Sequence, residues 1–241
     1  MFQIRRNCFE TNSSSTHCLA VPQESYITNI KYLKYLKGKK LRFNLGYFGR
    51  PLETIKVKPT DYLYTAILAD LPFIGWQDGF STDELAAIRE NSEMPDIQKY
   101  CPKAVERLNK LKNILDKYNI EYSFEKPVWV RKNYLGHEKP EYGFAREYYD
   151  YEEGTDFGID HTEDLDYILD ELFRDDITLI KFLFKGIVMV GSDEAEDEEI
   201  ARITIDKKTY TKHNWDNNSY TSEEKENPNY KEGYICYYKG N

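Results

Sequence analysis

Asn12-Ser13-Ser14-Ser15-Thr16-His17 is the stretch of this sequence in which chemistry-bearing side chains are most concentrated. Hydroxyls, an amide and the backbone N–H groups of a polar loop suit an oxyanion, because each donates a hydrogen bond without adding bulk. Arg5 and Arg6 lie a few residues upstream and bring planar, bidentate donors that match phosphate. His17 is a candidate general acid or base, since imidazole exchanges its proton near neutral pH. The plainer reading is a polar hairpin loop with His17 on the surface. Neither a GxSxG turn nor a P-loop is present to decide between the two.

A second constellation is Gly158-Ile159-Asp160-His161-Thr162. Adjacent residues of one strand face opposite ways, so Asp160 can orient His161 only if the pair sits in a turn. There His161 becomes a second candidate acid or base, and Asp193 a candidate metal ligand alongside it. The four histidines show no HxH or HExxH spacing, so no zinc signature supports that metal and no cofactor is specified. The alternative for Asp160 is to cap a helix beginning near Glu163.

Charge is distributed unevenly. The chain carries −9 overall, yet residues 147–199 hold 19 acidic and 3 basic side chains. Within this arm Glu147, Asp150, Glu152, Glu153, Asp156, Asp164 and Asp166 alternate with Tyr148, Tyr149, Tyr151, Phe157 and Tyr167. Rigidly held carboxylates imitate nucleic-acid phosphates and fit a basic groove on a partner; the plainer reading is a solvated acidic surface. The DxDxDG pattern of a calcium loop is absent. By contrast, Lys31–Lys58 has nine basic residues against Glu53, interleaved with Tyr32, Tyr35, Phe43, Tyr47 and Phe48. Basic and aromatic residues together grip single strands of nucleic acid, although lysines along an amphipathic helix are commonly just its wet side.

These residues need elements to hold them. Alternation predicts strands over Arg5–Glu10 and Cys18–Val21 with the polar Thr11–His17 loop between them. Strands are also expected at Lys40–Leu45 and Glu53–Lys58 around a turn-rich Gly46–Pro51, at Ile120–Glu125, Val128–Arg131, Ile187–Val190, Ile200–Ile205 and Tyr234–Tyr238. Helical spacing marks Glu24–Lys37 with Gly38 as its stop, Asp61–Asp70 capped by Thr60, and Ser81–Glu90 behind a capping box. Pro102 opens the clearest amphipathic helix, with Val105, Leu108, Leu111, Ile114 and Leu115 on one face. Glu163–Phe173 and Ile177–Phe184 follow. Gly136–Gly158 reads as a long loop or hairpin, and Asn214–Lys231 as a polar loop.

The irregular alternation gives an α+β fold: one domain over residues 1–241, a mixed or antiparallel sheet, several flanking helices, and an acidic loop/helix arm at about 147–199. With 21 Tyr and 12 Phe, much of the core must be aromatic. Four scattered cysteines without CxxC read as reduced thiols. No run of 18 apolar residues occurs, and the basic N-terminal segment lacks an apolar stretch after it. A soluble protein of the cytoplasm, without membrane contact, is expected.

Arg5-Arg6-Asn7-Cys8-Phe9-Glu10-Thr11 running into Asn12–His17 resembles the opening of a family encoded by bacteriophages and mobile elements, mainly of Firmicutes and gut bacteria, with no established activity. Tyr47-Phe48-Gly49, Asp61-Tyr62-Leu63-Tyr64-Thr65, Gly158–His161, and Phe182-Leu183-Phe184 followed by Gly191-Ser192-Asp193 are similar too. The family's third piece reads IDHQS, whereas Thr162-Glu163 follow His161 here. The resemblance implies a phage or prophage setting in a bacterial host. It also implies that Asn12–His17 and Asp160–His161 share a site, with Asp193 as a third contributor.

Three functions compete. The first is an enzyme on a phosphorylated or nucleotide-like substrate, with Arg5, Arg6 and Asn12–Thr16 on the anion and His17 or His161 moving the proton. The second is an acidic inhibitor of a host defence nuclease, similar in logic to anti-CRISPR proteins. The third is nucleic-acid binding through Lys31–Lys58.

Overall fold

The computed structural model describes residues 15–22, 36–48, 55–69, 88, 90, 92–132, 141–146, 157–159, 165–192, 209–214, 219–224 and 234–239. In chain order the strands are β1 (Ser15–Pro22), β2 (Lys40–Phe43), β3 (Tyr47–Phe48), β4 (Ile55–Val57), β5 (Glu121–Phe124), β6 (Val128–Lys132), β7 (Glu141–Ala145), β8 (Gly158–Ile159), β9 (Ile187–Ser192), β10 (Thr209–Asn214), β11 (Ser219–Glu224) and β12 (Tyr234–Lys239). The helices are α1 (Pro59–Ile67), α2 (Ile97–Tyr100), α3 (Pro102–Lys117), α4 (Leu165–Leu172) and α5 (Asp176–Lys185). The fold is α+β. Expected elements at Arg5–Glu10 and Ile200–Ile205 lie outside the described residues, as do nearly all of Glu24–Lys37 and Ser81–Glu90.

Helix α1 sits at the centre. Pro59 starts it, at a position where the missing N–H costs nothing. Lys58 is its N-cap residue and no side chain closes the cap, so Thr60 lies inside the first turn, its hydroxyl donating to Asp61 Oδ1 at 3.2 Å. Thr60, Tyr62, Leu63, Tyr64, Thr65, Ala66 and Ile67 are all buried. A helix buried on nearly every side belongs inside a core rather than on its rim, and α1 contacts β2, β8, β9, α3, α4 and α5.

Around it runs a four-stranded sheet in the order β12-β1-β9-β4, every pair antiparallel. Two parallel pairs, β2 with β5 and β3 with β8, stand apart from it, as do the hairpins β6–β7 and β10–β11. Three expectations are corrected. Ser15–His17 belong to β1 and not to a loop, because ladder bonds come from the backbone and tolerate polar side chains. Tyr47-Phe48 is a strand within the supposed turn, paired with a segment far away in sequence. Ser219–Glu224 forms a hairpin with Thr209–Asn214, a Thr- and Tyr-bearing pair of runs split by Asp216-Asn217-Asn218. Gly136–Gly158 resolves in part as the β6–β7 hairpin.

The core is as aromatic as the composition requires: Tyr62, Phe43, Phe144, Phe157 and Phe182 are among its largest fully buried side chains. Leu19, Val188 and Val190 of the sheet and Leu179, Ile180 and Phe182 of α5 are each wholly buried. Each such side chain contributes roughly 1.5–3 kcal/mol on leaving water. Gly38, beyond the end of the helical turn at Leu36, takes φ 74, the left-handed value that glycine adopts without strain. Gly46 is constrained differently: a Cβ there would meet the Phe48 ring at 2.3 Å.

Gly46→Ala therefore forces the Phe48 ring out of its place. A loss of about 1–3 kcal/mol is expected, read as a lower urea midpoint at unchanged slope. An unchanged midpoint would mean that the ring gives way freely.

Candidate functional site

The last residue of the Asn12–His17 motif is fully buried in the middle of the sheet, not on the surface. His17 pairs with Lys239 of β12 on one side and Val190 of β9 on the other. Its Nδ1 lies 2.8 Å from Tyr62 Oη, and the two rings meet edge to face with centroids 5.5 Å apart. Tyr62 is itself wholly buried. Neither polar atom can be left alone in such a place, since an unsatisfied buried group costs about 1–3 kcal/mol. The sheet supplies the imidazole and α1 supplies the phenol.

From this pair the packing leads to the second motif. The Phe48 ring tilts against Tyr62 with centroids 5.7 Å apart, and Phe48 is the register partner of Ile159 in β8. Asp160 and His161 come next in the chain after Ile159. On the other side, the β1–β9 ladder ends with Ser15 opposite Ser192 and Thr16 opposite Gly191. Asn12–Ser14 precede Ser15, and Asp193 follows Ser192. Two of the three chemistry-bearing segments thus adjoin in sequence the same end of one ladder, and the third follows in sequence a strand tied to the His17–Tyr62 pair. Arg5, Arg6, Asn12, Ser13, Ser14, Asp160, His161 and Asp193 themselves lie outside the described residues.

The junction before β3 is held by side chains of α1 and of Glu125, the residue after β5. Asn44 N donates to Asp61 Oδ1 at 3.0 Å, Leu45 N to Glu125 Oε2 at 2.9 Å, and Gly46 N to Thr65 Oγ1 at 3.0 Å. Gly158 N in turn donates to Gly46 O at 2.9 Å, fastening β8. Glu125, whose side chain is 8% exposed, also accepts from Arg146 Nε at 3.0 Å, which answers the buried charge. Tyr64 Oη donates to the Glu125 carbonyl at 2.7 Å; burial first, then Glu125, push the Tyr64 phenol pKa well above its ordinary value. Tyr62 and Glu125 carry structural roles that residue type alone did not flag. The largely apolar run Tyr62–Ile67 marks a buried helix but does not single out Tyr62.

Of the acidic arm the described residues are 157–159 and 165–192, which hold β8, α4, α5 and β9. Glu147, Asp150, Glu152, Glu153, Asp156 and Asp164 lie outside the described residues. Asp166, on α4, is held by Lys103 at 2.8 Å and Arg107 at 2.7 Å, both from α3. Arg107 also reaches Asp170 at 2.9 Å, Lys110 donates to the Phe173 carbonyl, and Lys117 pairs with Asp176. Asp175 caps α5 by accepting from Thr178 N at 2.8 Å. The cations of one α3 face thus answer the carboxylates of α4 and of the α5 N-terminus. Exposed pairs are worth at most about 1 kcal/mol, whereas Leu165, Ile168, Leu169 and Leu172 are buried to 3% or less. Apolar burial holds α4, and the charges orient it.

In the basic segment Lys37, Lys39, Lys40, Arg42, Lys56 and Lys58 are exposed, but Phe43 and Phe48 belong to the core. Lys37 and Lys40 share an open surface depression with Asp116 and Glu121. Among the described residues no three His, Cys, Asp or Glu side chains gather as metal ligands would, and no helix is long and apolar enough to cross a membrane. No family model, curated protein or solved structure matches the chain.

Tyr62→Phe strips the His17 Nδ1 of that partner while preserving the ring. We expect a loss of about 1–3 kcal/mol in urea unfolding; a neutral result would mean that the imidazole is satisfied without the phenol. The hydrogen bonds from Lys103 and then Arg107 hold the Asp166 carboxyl below the usual carboxylate range. The folded state therefore binds fewer protons there than the unfolded state. Its contribution is complete above the unfolded value of about 4 and disappears as pH falls through the folded one. Unfolding free energy measured between about pH 5 and pH 2 should fall less steeply in Asp166→Asn than in the parent.

Proposed function

We propose that this protein is an enzyme acting on a phosphorylated or nucleotide-like substrate in a phage or prophage setting. The anion is held by Asn12, Ser13, Ser14, Ser15 and Thr16 with Arg5 and Arg6. His161, oriented by Asp160, transfers the proton. One observation carries the reading: the Ser15–Ser192 end of the β1–β9 ladder, from which Asn12–Ser14 and Asp193 continue, is tied through His17, Tyr62 and Phe48 to the strand that runs into Asp160–His161. Burial of His17 changes its part in the scheme. A wholly buried imidazole bound to a tyrosine suits the role of a post that fixes the hydroxyl loop, and leaves proton transfer to His161. Asp193 is the residue in this arrangement suited to a divalent metal. The setting rests on the resemblance of the opening motif.

The acidic-inhibitor reading draws less support. Asp166, Asp170 and Asp176 are engaged by cations of α3, so they offer an opposing basic groove less than their number promises.

Turnover of nucleotides, NAD and RNA by the full chain tests the proposal. His161→Ala should lower kcat by about 100-fold or more at unchanged stability, as expected for loss of a general acid or base. His17→Ala should lower activity together with stability. If a confirmed activity survives His161→Ala intact, the assignment of His161 falls; if no phosphorylated compound is turned over, the enzymatic reading falls.

A further inference from the structure

One face of the β6–β7 hairpin is built from aromatic rings that run out to an arginine. Strand alternation puts Trp129 and Arg131 on the same side of β6, and their register partners on β7 are Phe144 and Tyr142. The Trp129 ring meets Phe144 edge to face with centroids 5.0 Å apart, and Tyr142 stacks on Trp129 at 6.5 Å, within 17° of parallel. Exposure rises along this face: Phe144 is 1% exposed, Trp129 and Tyr142 are partly exposed, and Arg131 is exposed. Trp129 Nε1 is buried without a hydrogen-bond acceptor, so ring packing and not a hydrogen bond positions the indole.

The charges on the two faces of the hairpin differ. On the opposite face Lys132 has Glu141 as its register partner. Arg131 has Tyr142, and among the described residues no carboxylate pairs with it. Lys126, two residues ahead of β6, is exposed as well, so cations bracket Trp129 in the chain. An unpaired guanidinium opposite a partly exposed ring fits a ligand that offers an anion and a flat group together. Single-stranded nucleic acid has both in every residue, and its bases stack on aromatic rings whatever their identity. An acidic peptide supplies only the charge. Rings already packed on paired strands lose little freedom when a base covers them.

We infer that the Trp129–Tyr142–Arg131 face of the β6–β7 hairpin binds single-stranded nucleic acid, with a base against Tyr142 and the adjoining phosphate on Arg131. None of these residues belongs to the set assigned to turnover, so the inference does not depend on the enzymatic reading.

Fluorescence anisotropy of a labelled oligothymidylate of about 16 nucleotides, enough to fill one binding groove, tests this with the full chain at low and moderate salt. Tyr142→Ala should weaken binding by at least about fivefold, the lower end of what a stacked ring contributes, and Tyr142→Phe should match the parent. Arg131→Gln should weaken binding and reduce the slope of log affinity against log salt by about 0.7, the value for one phosphate contact to a single strand. Polyglutamate of equal charge should compete poorly. Circular dichroism checks that each variant is folded; should Tyr142→Ala fail to fold, Arg131→Gln, at an exposed position, decides. Equal affinity in the parent and a folded Tyr142→Ala, an unchanged salt slope in Arg131→Gln, competition by polyglutamate as strong as by the oligonucleotide, or no binding by the parent each overturns the inference.

Discussion

A helix set inside the core cannot keep polar atoms unless something answers each one, and four residues of α1 find their partners outside the helix. Tyr62 meets His17, Tyr64 meets the Glu125 carbonyl, Thr65 accepts from Gly46, and Asp61 accepts from Asn44. Every partner lies on a different strand or on the junction between strands. Satisfying the helix and positioning the strands are thus one and the same requirement. At about 1–3 kcal/mol for each unsatisfied group, the wrong strand placement would cost a sizeable part of a stability that for most domains is only 5–15 kcal/mol.

This arrangement gives the His17–Tyr62 pair its significance. It lies beneath the first hydroxyl-bearing residues of β1 and beside the strand that runs into Asp160–His161. Apolar burial supplies the energy of the surrounding structure, as Leu165, Ile168, Leu169 and Leu172 do for α4. The polar links supply direction. The α3–α4 charge pairs act in the same way at the surface, where Lys103 and Arg107 set the angle of a helix already held by its apolar face.

Much of the fold was legible in the sequence because periodicity reports burial directly. Pro102–Lys117 follows its leucines and isoleucines, and Ile187–Ser192 follows its apolar run. What escaped was of two kinds. Ser15–Thr16 and Ser219–Glu224 are strands built from polar residues, whose ladder bonds leave no apolar trace. Tyr47-Phe48 is a strand only because a distant segment pairs with it. In Asn12–His17, the concentration of polar side chains did not reveal that His17 turns inward. A histidine looks alike in sequence whether it faces water or a buried phenol. Its partner Tyr62 was hidden within an apolar helix pattern.

The pairing of β1 has a consequence for how the chain is made. Its neighbours are β9 and β12, both encoded far downstream, while α1 and its polar partners at the β2–β3 junction emerge much earlier. During synthesis β1 waits as an unpaired strand with both edges bare, which invites association with other nascent chains. Closing loops of such length is slow, so the yield of folded protein should depend on whether the ribosome or a chaperone shields Ser15–Pro22 until Tyr234–Lys239 arrives.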